Sequence, residues 1–113
     1  MIRLSRTGAV LAARVECCDT PWTRARGLMF RSLTPGGALL FSFERPERVL
    51  VHMLFVFQQL DLVFLDEQKR AIAIRHAFPF QPYIRPPAPA SWLVELPAGA
   101  ARDLQIGDTL VLS

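Results

Sequence analysis

The pattern of this chain predicts a mainly β domain: a small β-sandwich or partly open barrel of about eight strands with two short helices. Three observations predict it. Apolar runs are short and stop at turn signals, namely Thr7-Gly8, Pro35-Gly36-Gly37, Asp66-Glu67-Gln68-Lys69 and Ile106-Gly107-Asp108. Strand-like runs follow one another without the regular helical crossovers of a βαβ rhythm. Only two segments, those opening at Pro21 and Pro97, carry helix-start signals. The 113 residues fit one domain spanning 1–113.

The elements read in order as follows. Residues 2–5 and 9–17 are strands around Thr7-Gly8. Asp19-Thr20-Pro21 starts a helix, with Asp or Thr as cap and Pro in the first turn, running from Pro21 to about Phe30. Leu33 to Gly37 is a loop, Ala38 to Phe43 a strand, and Glu44 to Glu47 a turn. Val49 to Phe57 is apolar except for His52, which predicts a central strand covered on both faces. Leu60 to Asp66 and Arg70 to Phe78 form a hairpin pair of strands. Residues 79–90 hold five prolines and read as a fixed loop. Ser91 to Leu96 is a strand, Pro97 to about Gln105 a short helix, and Thr109 to Leu112 the closing strand.

Composition narrows the function classes. Apolar residues make up 51% of the chain, enough for a core. No apolar run has the length of a membrane-spanning helix, so no membrane association is expected. Met1–Arg6 lacks the apolar stretch of a signal peptide, and the expectation is a cytoplasmic protein. The net charge of +3 is mild, and acidic residues interrupt the arginines, so a nucleic-acid partner is not expected. Cys17 and Cys18 are adjacent and diverge on a strand, which disfavours a disulfide between them. Met29, Met53, His52 and the two cysteines are soft donors, but they lack a recognised ligand spacing; no metal or other cofactor is expected.

Several segments together form an ordered set: Asp19-Thr20-Pro21, Arg24-Ala25-Arg26-Gly27-Leu28-Met29-Phe30-Arg31, Ala38-Leu39-Leu40-Phe41, His52-Met53, Leu60-Asp61-Leu62-Val63-Phe64-Leu65-Asp66, Val94-Glu95-Leu96-Pro97-Ala98-Gly99 and Ile106-Gly107-Asp108. In this order and spacing they resemble domain-of-unknown-function family 192, an uncharacterised ancient conserved region, from about Glu16 to the end. The resemblance implies a mostly β fold of sandwich type and no established activity. Where relatives often carry Trp-Met followed by a basic residue and Asn, this chain has His52-Met53-Leu54-Phe55, so a site built on that pair is absent here.

The polar residues inside apolar runs are the candidates for chemistry. His52 is either a core histidine satisfied by a backbone carbonyl or carboxylate, or a pocket ligand or general base. Asp61 shares a strand face with Val63 and Leu65, and Glu95 sits beside Leu93. A buried carboxylate needs donors. The expected arrangement is a semi-buried cluster joining Asp61 or Glu95 to an arginine of the first helix, locking helix to sheet. Arg24, Arg26 and Arg31 form a candidate anion-binding edge, against the commoner explanation of a solvated helix face. Trp22, Phe78, Phe80, Tyr83 and Trp92 could line a groove or lock the proline-rich loop in place.

The chain therefore reads as a small binding or interaction module for an unidentified small molecule or protein. Its pocket or groove is expected near His52, Asp61 and the loop 79–90, with His52, Met53, Asp61, Glu95, Arg24 and Arg26 as candidate site residues. The alternative is a small hydrolase-like enzyme using His52 with Asp61 or Glu95. Nucleophile elbow, phosphate-loop and dinucleotide fingerprints are missing from the sequence.

Overall fold

The computed structural model describes residues 1–113, apart from the side chain of Pro21. It contains β1 (Ile2–Leu4), β2 (Val10–Ala12), β3 (Arg14–Cys18), α1 (Pro21–Arg26), β4 (Gly37–Glu47), β5 (Leu60–Leu65), β6 (Ala71–Ala77), β7 (Ala90–Pro97) and β8 (Leu110–Leu112). The strands form two sheets, one ordered β2-β1-β8 and one ordered β3-β4-β7-β5-β6, with no closed barrel. All pairings are antiparallel except β3 with β4, which run parallel.

Layering follows from strand periodicity, because successive side chains point to opposite faces. Leu60, Leu62 and Phe64 of β5 join Leu39, Phe41 and Leu93 in one core. Val63 and Leu65 join Ala38, Val94 and Leu96 in the other, against Ile2, Leu4 and Leu110 of the small sheet. The larger sheet is thus sandwiched: the small sheet covers one face, and Leu28 with the segment around Val51, Met53 and Val56 covers the other. Burial on both faces explains why every residue of β5 is buried.

Several elements differ from expectation. Val49 to Phe57 is not a strand. Its main-chain bonds go to the proline-rich loop, through Val51 N to Ile84 O (2.8 Å), Ile84 N to Val51 O (3.0 Å) and Met53 N to Gln81 O (2.8 Å). It lies across the sheet as a cover, burying Val51, Met53 and Val56 and exposing Leu50, Leu54, Phe55 and Phe57. A short apolar run reads the same whether it is a central strand or a lid. The second helix is also absent. Residues 97–104 form consecutive turns with Ala100 N to Pro97 O, Arg102 N to Gly99 O and Leu104 N to Ala101 O bonds, and Gly99 has φ +90°.

Three boundaries move. The run 9–17 divides into β2 and β3, which belong to different sheets. Glu44 to Glu47, read as a turn, continues β4 with a register irregularity before the Glu47–Ala90 pair. The first helix ends at Arg26 rather than near Phe30, because Gly27 takes φ +47° and caps it through Gly27 N to Thr23 O (3.0 Å). Its start is as read: Thr20 Oγ1 accepts from Thr23 N, and Thr23 Oγ1 accepts from Thr20 N, both at 3.1 Å. Among the described residues no helix is long and apolar enough to cross a membrane.

Asp61 is the polar clasp of the 97–104 turns. Its Oδ2 accepts from Gly99 N (2.9 Å) and Ala101 N (3.0 Å), and Oδ1 lies 3.2 Å from His76 Nδ1. Asp61→Ala leaves both amides without an acceptor and should cost about 2–4 kcal/mol in urea unfolding. Asp61→Asn keeps one oxygen for both amides and should cost less than about half of that. Equal losses for the two variants would contradict the clasp.

Candidate functional site

A cavity of about 200 Å³ opens between α1 with its following turn, the sheet face and the segment 47–56. Phe41 and Phe43 of β4, Leu93 of β7, and Val51, Met53 and Val56 supply its apolar walls. Glu95 of β7 lies among them, and Arg24, Arg26, Glu47 and His52 supply the other titratable groups. Five of the six expected site residues thus meet here: His52, Met53, Glu95, Arg24 and Arg26.

Glu95 is placed by strand register. It pairs with Leu39 on β4 and Leu62 on β5, so it stands in the middle of the larger sheet on the helix-side face. It is only 6% exposed. Among the described residues its carboxyl group makes no hydrogen bond and no ion pair. Burial pushes this carboxyl up to about 7, with the positive charge of Arg31 acting in the opposite direction.

Arg24 is half-buried, and its Nε is a buried nitrogen with no partner. Its guanidinium carbon stands 5.5 Å from the Phe43 ring centroid, a cation–π contact. Arg26, two residues on, is exposed and also lines the cavity. Arg31 leaves this group because the helix ends early. It donates to Glu16 through Nη1 to Oε1 (3.0 Å) and through Nη2 to Oε2, and its Nε donates to Gly27 O (3.0 Å). The three-arginine edge is therefore two arginines at a cavity and one in an ion pair.

Asp61 stands apart from the site. Its strand neighbour Leu62 faces the cavity-side core, and Asp61 faces the small-sheet side. The expected link from Asp61 to an arginine of the first helix is replaced by the backbone amides and His76. The pairing of His52 with Asp61 fails for the same reason. His52 is half-buried at the cavity, and its Nδ1 accepts from Leu54 N at 3.3 Å. The loop 79–90 does not line the cavity; through Gln81 and Ile84 it braces Met53 and Val51 from behind.

The cysteines diverge as a strand demands, Cys17 exposed and Cys18 buried. Burial, then the Glu16 and Glu95 charges, push the Cys18 thiol up to about 11, so it stays protonated near neutral pH. Among the described residues no three His, Cys, Asp or Glu side chains gather to hold a metal ion. A wider cleft of about 490 Å³ beside Val15, Leu40, Lys69 and Trp92 lacks a buried carboxyl group.

Sequence reasoning missed an exposed aromatic cluster. Phe30 stacks on Phe55 at 4.8 Å, and Phe80 meets Phe55 at 6.1 Å and Phe57 at 5.3 Å. Of its members, only Phe80 is among the aromatic residues that the sequence picks out beside the proline-rich loop. The others come from a helix that ends early and a strand that does not form, so no periodic signal marked them.

Glu95 gives a stability test. Between its ordinary value near 4.5 and its folded value near 7, the folded chain keeps a proton that the unfolded chain has released. Stability should therefore fall as pH rises through that window, by about 3 kcal/mol, and level off above it. Groups facing Glu95 are Arg24, Arg26, Glu47 and His52 around the cavity, with Arg31 and Cys18 beside it. Glu16 and Asp66 are shifted downward and act below this window. Urea unfolding of Glu95→Gln, subtracted from that of the parent chain across the same pH series, should isolate the decline. A flat difference curve would contradict the burial of an unpaired carboxyl.

Known proteins are similar to this chain in sequence or in fold. A "UPF0127 protein" of Thermococcus sibiricus is 35% identical over 109 residues, covering 91% of this chain and 68% of its own length. A Sinorhizobium meliloti 1021 crystal structure, described as a candidate transcription regulator, matches with a TM-score of 0.80 at 29% identity over 86% of this chain and 79% of that one. A Novosphingobium aromaticivorans protein of unknown function matches with a TM-score of 0.81 at 24% identity over 87% and 74%, a likeness of fold. The profile of domain-of-unknown-function family 192, "Uncharacterized ACR", matches residues 2–112. With the profile spanning both sheets, α1 and the segment 47–56 that closes the cavity, the chain belongs to domain-of-unknown-function family 192.

Proposed function

We propose that this chain is a binding module that takes a small molecule into the cavity between α1, the segment 47–56 and the sheet. One observation carries the reading: Glu95, 6% exposed and without a protein partner, is part of that cavity's wall. Buried polar groups in folded proteins are nearly always paired. A carboxyl left unpaired at the wall of a cavity is a group that a ligand can satisfy. The volume of about 200 Å³ exceeds the ~150 Å³ of an apolar cavity that holds benzene. The exposed free thiol of Cys17 suits a reducing compartment, which supports a cytoplasmic location.

Protein-detected NMR with small neutral, cationic, anionic and zwitterionic fragments tests this. Bound fragments should shift the methyl signals of Val51, Met53 and Leu93, and His52→Trp, which narrows the cavity, should weaken them. Failure of every fragment class to shift those methyls, or shifts confined to the cleft at Trp92, would overturn the reading.

A further inference from the structure

Four phenylalanines gather at the surface from three loops: Phe30 from the turn after α1, Phe55 and Phe57 from the covering segment, and Phe80 from the proline-rich loop. They are 69%, 44%, 60% and 46% exposed in that order. The fold therefore gains only part of what burying such rings would contribute. Phe30, Phe55 and Phe80 also hold φ of 61°, 58° and 64°, where glycine or asparagine would sit at lower cost. Main-chain bonds from Phe30 N to Phe55 O (2.8 Å) and from Phe80 N to Met53 O (2.9 Å) tie the loops to one another, so the rings form one fixed cluster. Side chains favoured neither by the core nor by their own backbone, yet held together at the surface, fit a contact made outside the chain.

Charge indicates the kind of contact. The stretches that supply the rings, 20–43, 48–60 and 71–94, contain Arg24, Arg26, Arg31, Arg48, Arg75 and Arg85 and no Asp or Glu. Among the described residues only Arg31 of these six is in an ion pair, with Glu16. Other parts of the chain bring carboxyl groups to these stretches, Glu47 and Glu95 at the cavity and Asp61 at His76. Arg26 shares the turn that bears Phe30, where Met29 N donates to Arg26 O at 2.9 Å.

We propose that the phenylalanine cluster docks this chain on the surface of an anionic phospholipid bilayer. The four rings enter the boundary between headgroups and acyl chains, and arginines of the same stretches meet lipid phosphates. Amphipathic surfaces that lie on membranes combine aromatic rings with basic residues in this way. A fluid lipid interface also receives protruding rings without offering a matching shape. A second copy of the chain would set arginine-bearing stretches against their like. Run length bears only on crossing a bilayer; resting on one needs exposed rings and positive charge. The four rings wall neither cavity described above, so this docking face is separate from the ligand site.

Co-sedimentation of the full chain with vesicles tests the docking face. One set is phosphatidylcholine alone, and the other mixes phosphatidylcholine with phosphatidylglycerol. The chain should bind the mixed vesicles at least about tenfold more tightly than the neutral ones, and added salt should weaken that binding. Phe30→Asn combined with Phe57→Ser should lower affinity for the mixed vesicles by about tenfold or more. Asparagine suits the left-handed backbone at position 30, and unchanged NMR signals from the small sheet would confirm that the variant folds. Phe57→Ser alone, at a position with ordinary φ, should give a smaller loss in the same direction.

No binding to either vesicle, equal binding to both, or binding that ignores the aromatic substitutions overturns the proposal. So does self-association in sedimentation velocity that the substitutions abolish while vesicles stay unbound, which would give the cluster to a second copy. Capture of another protein by the parent chain and not by the variant, again without vesicle binding, overturns it in favour of a protein partner.

Discussion

The double-sided burial of β7 is the constraint on which the rest of the domain depends. β7 is hydrogen-bonded to β4 on one edge and β5 on the other. Leu93 faces the helix-side core, while Val94 and Leu96 face the small sheet. A strand in this position has no solvated face, so each of its side chains must be apolar, paired or directed at a cavity. Glu95 belongs to the third case. Its position follows from alternation along the strand together with the register to Leu39 and Leu62.

The energetic scale shows why such a group is tolerated. Holding Glu95 in its place costs about 3 kcal/mol once it ionises. Full burial of one large aliphatic side chain contributes about 1.5–3 kcal/mol. The two cores contain many such side chains, including Leu60, Leu62, Phe64 and Leu39 on one side and Ile2, Leu4, Leu65 and Leu96 on the other. One unfavourable carboxyl at a cavity wall is therefore well within what this packing supports. Asp61 shows the contrasting solution, with its charge held by two backbone amides and a histidine.

The covering segment has its own local cost. Phe30, Phe55 and Phe80 adopt φ of 61°, 58° and 64°, in the left-handed region that non-glycine residues seldom enter. Such residues persist where their surroundings hold them. Here Phe30 N donates to Phe55 O at 2.8 Å and Phe80 N donates to Met53 O at 2.9 Å. These bonds join the turn after α1, the covering segment and the proline-rich loop, and so position Met29 and Met53 at the cavity.

Alternation within Leu60–Leu65 is sufficient to separate Leu60, Leu62 and Phe64 from Asp61, Val63 and Leu65, because strand period is a local property of the backbone. Likewise the Thr20 cap, the divergence of Cys17 and Cys18, and the glycine-marked turns are local matters legible in the amino-acid order. What covers each sheet face is not local. Val49–Phe57 has the composition of a buried strand, but tertiary packing uses it as a lid whose hydrogen bonds go to Gln81 and Ile84. The partners of Asp61, at Gly99 and Ala101, and the meeting of Glu95 with Arg24 and His52 depend on long-range register and layer packing. Those contacts are set by how the sheet stacks in three dimensions, for which a one-dimensional pattern of polar and apolar residues has no coordinate.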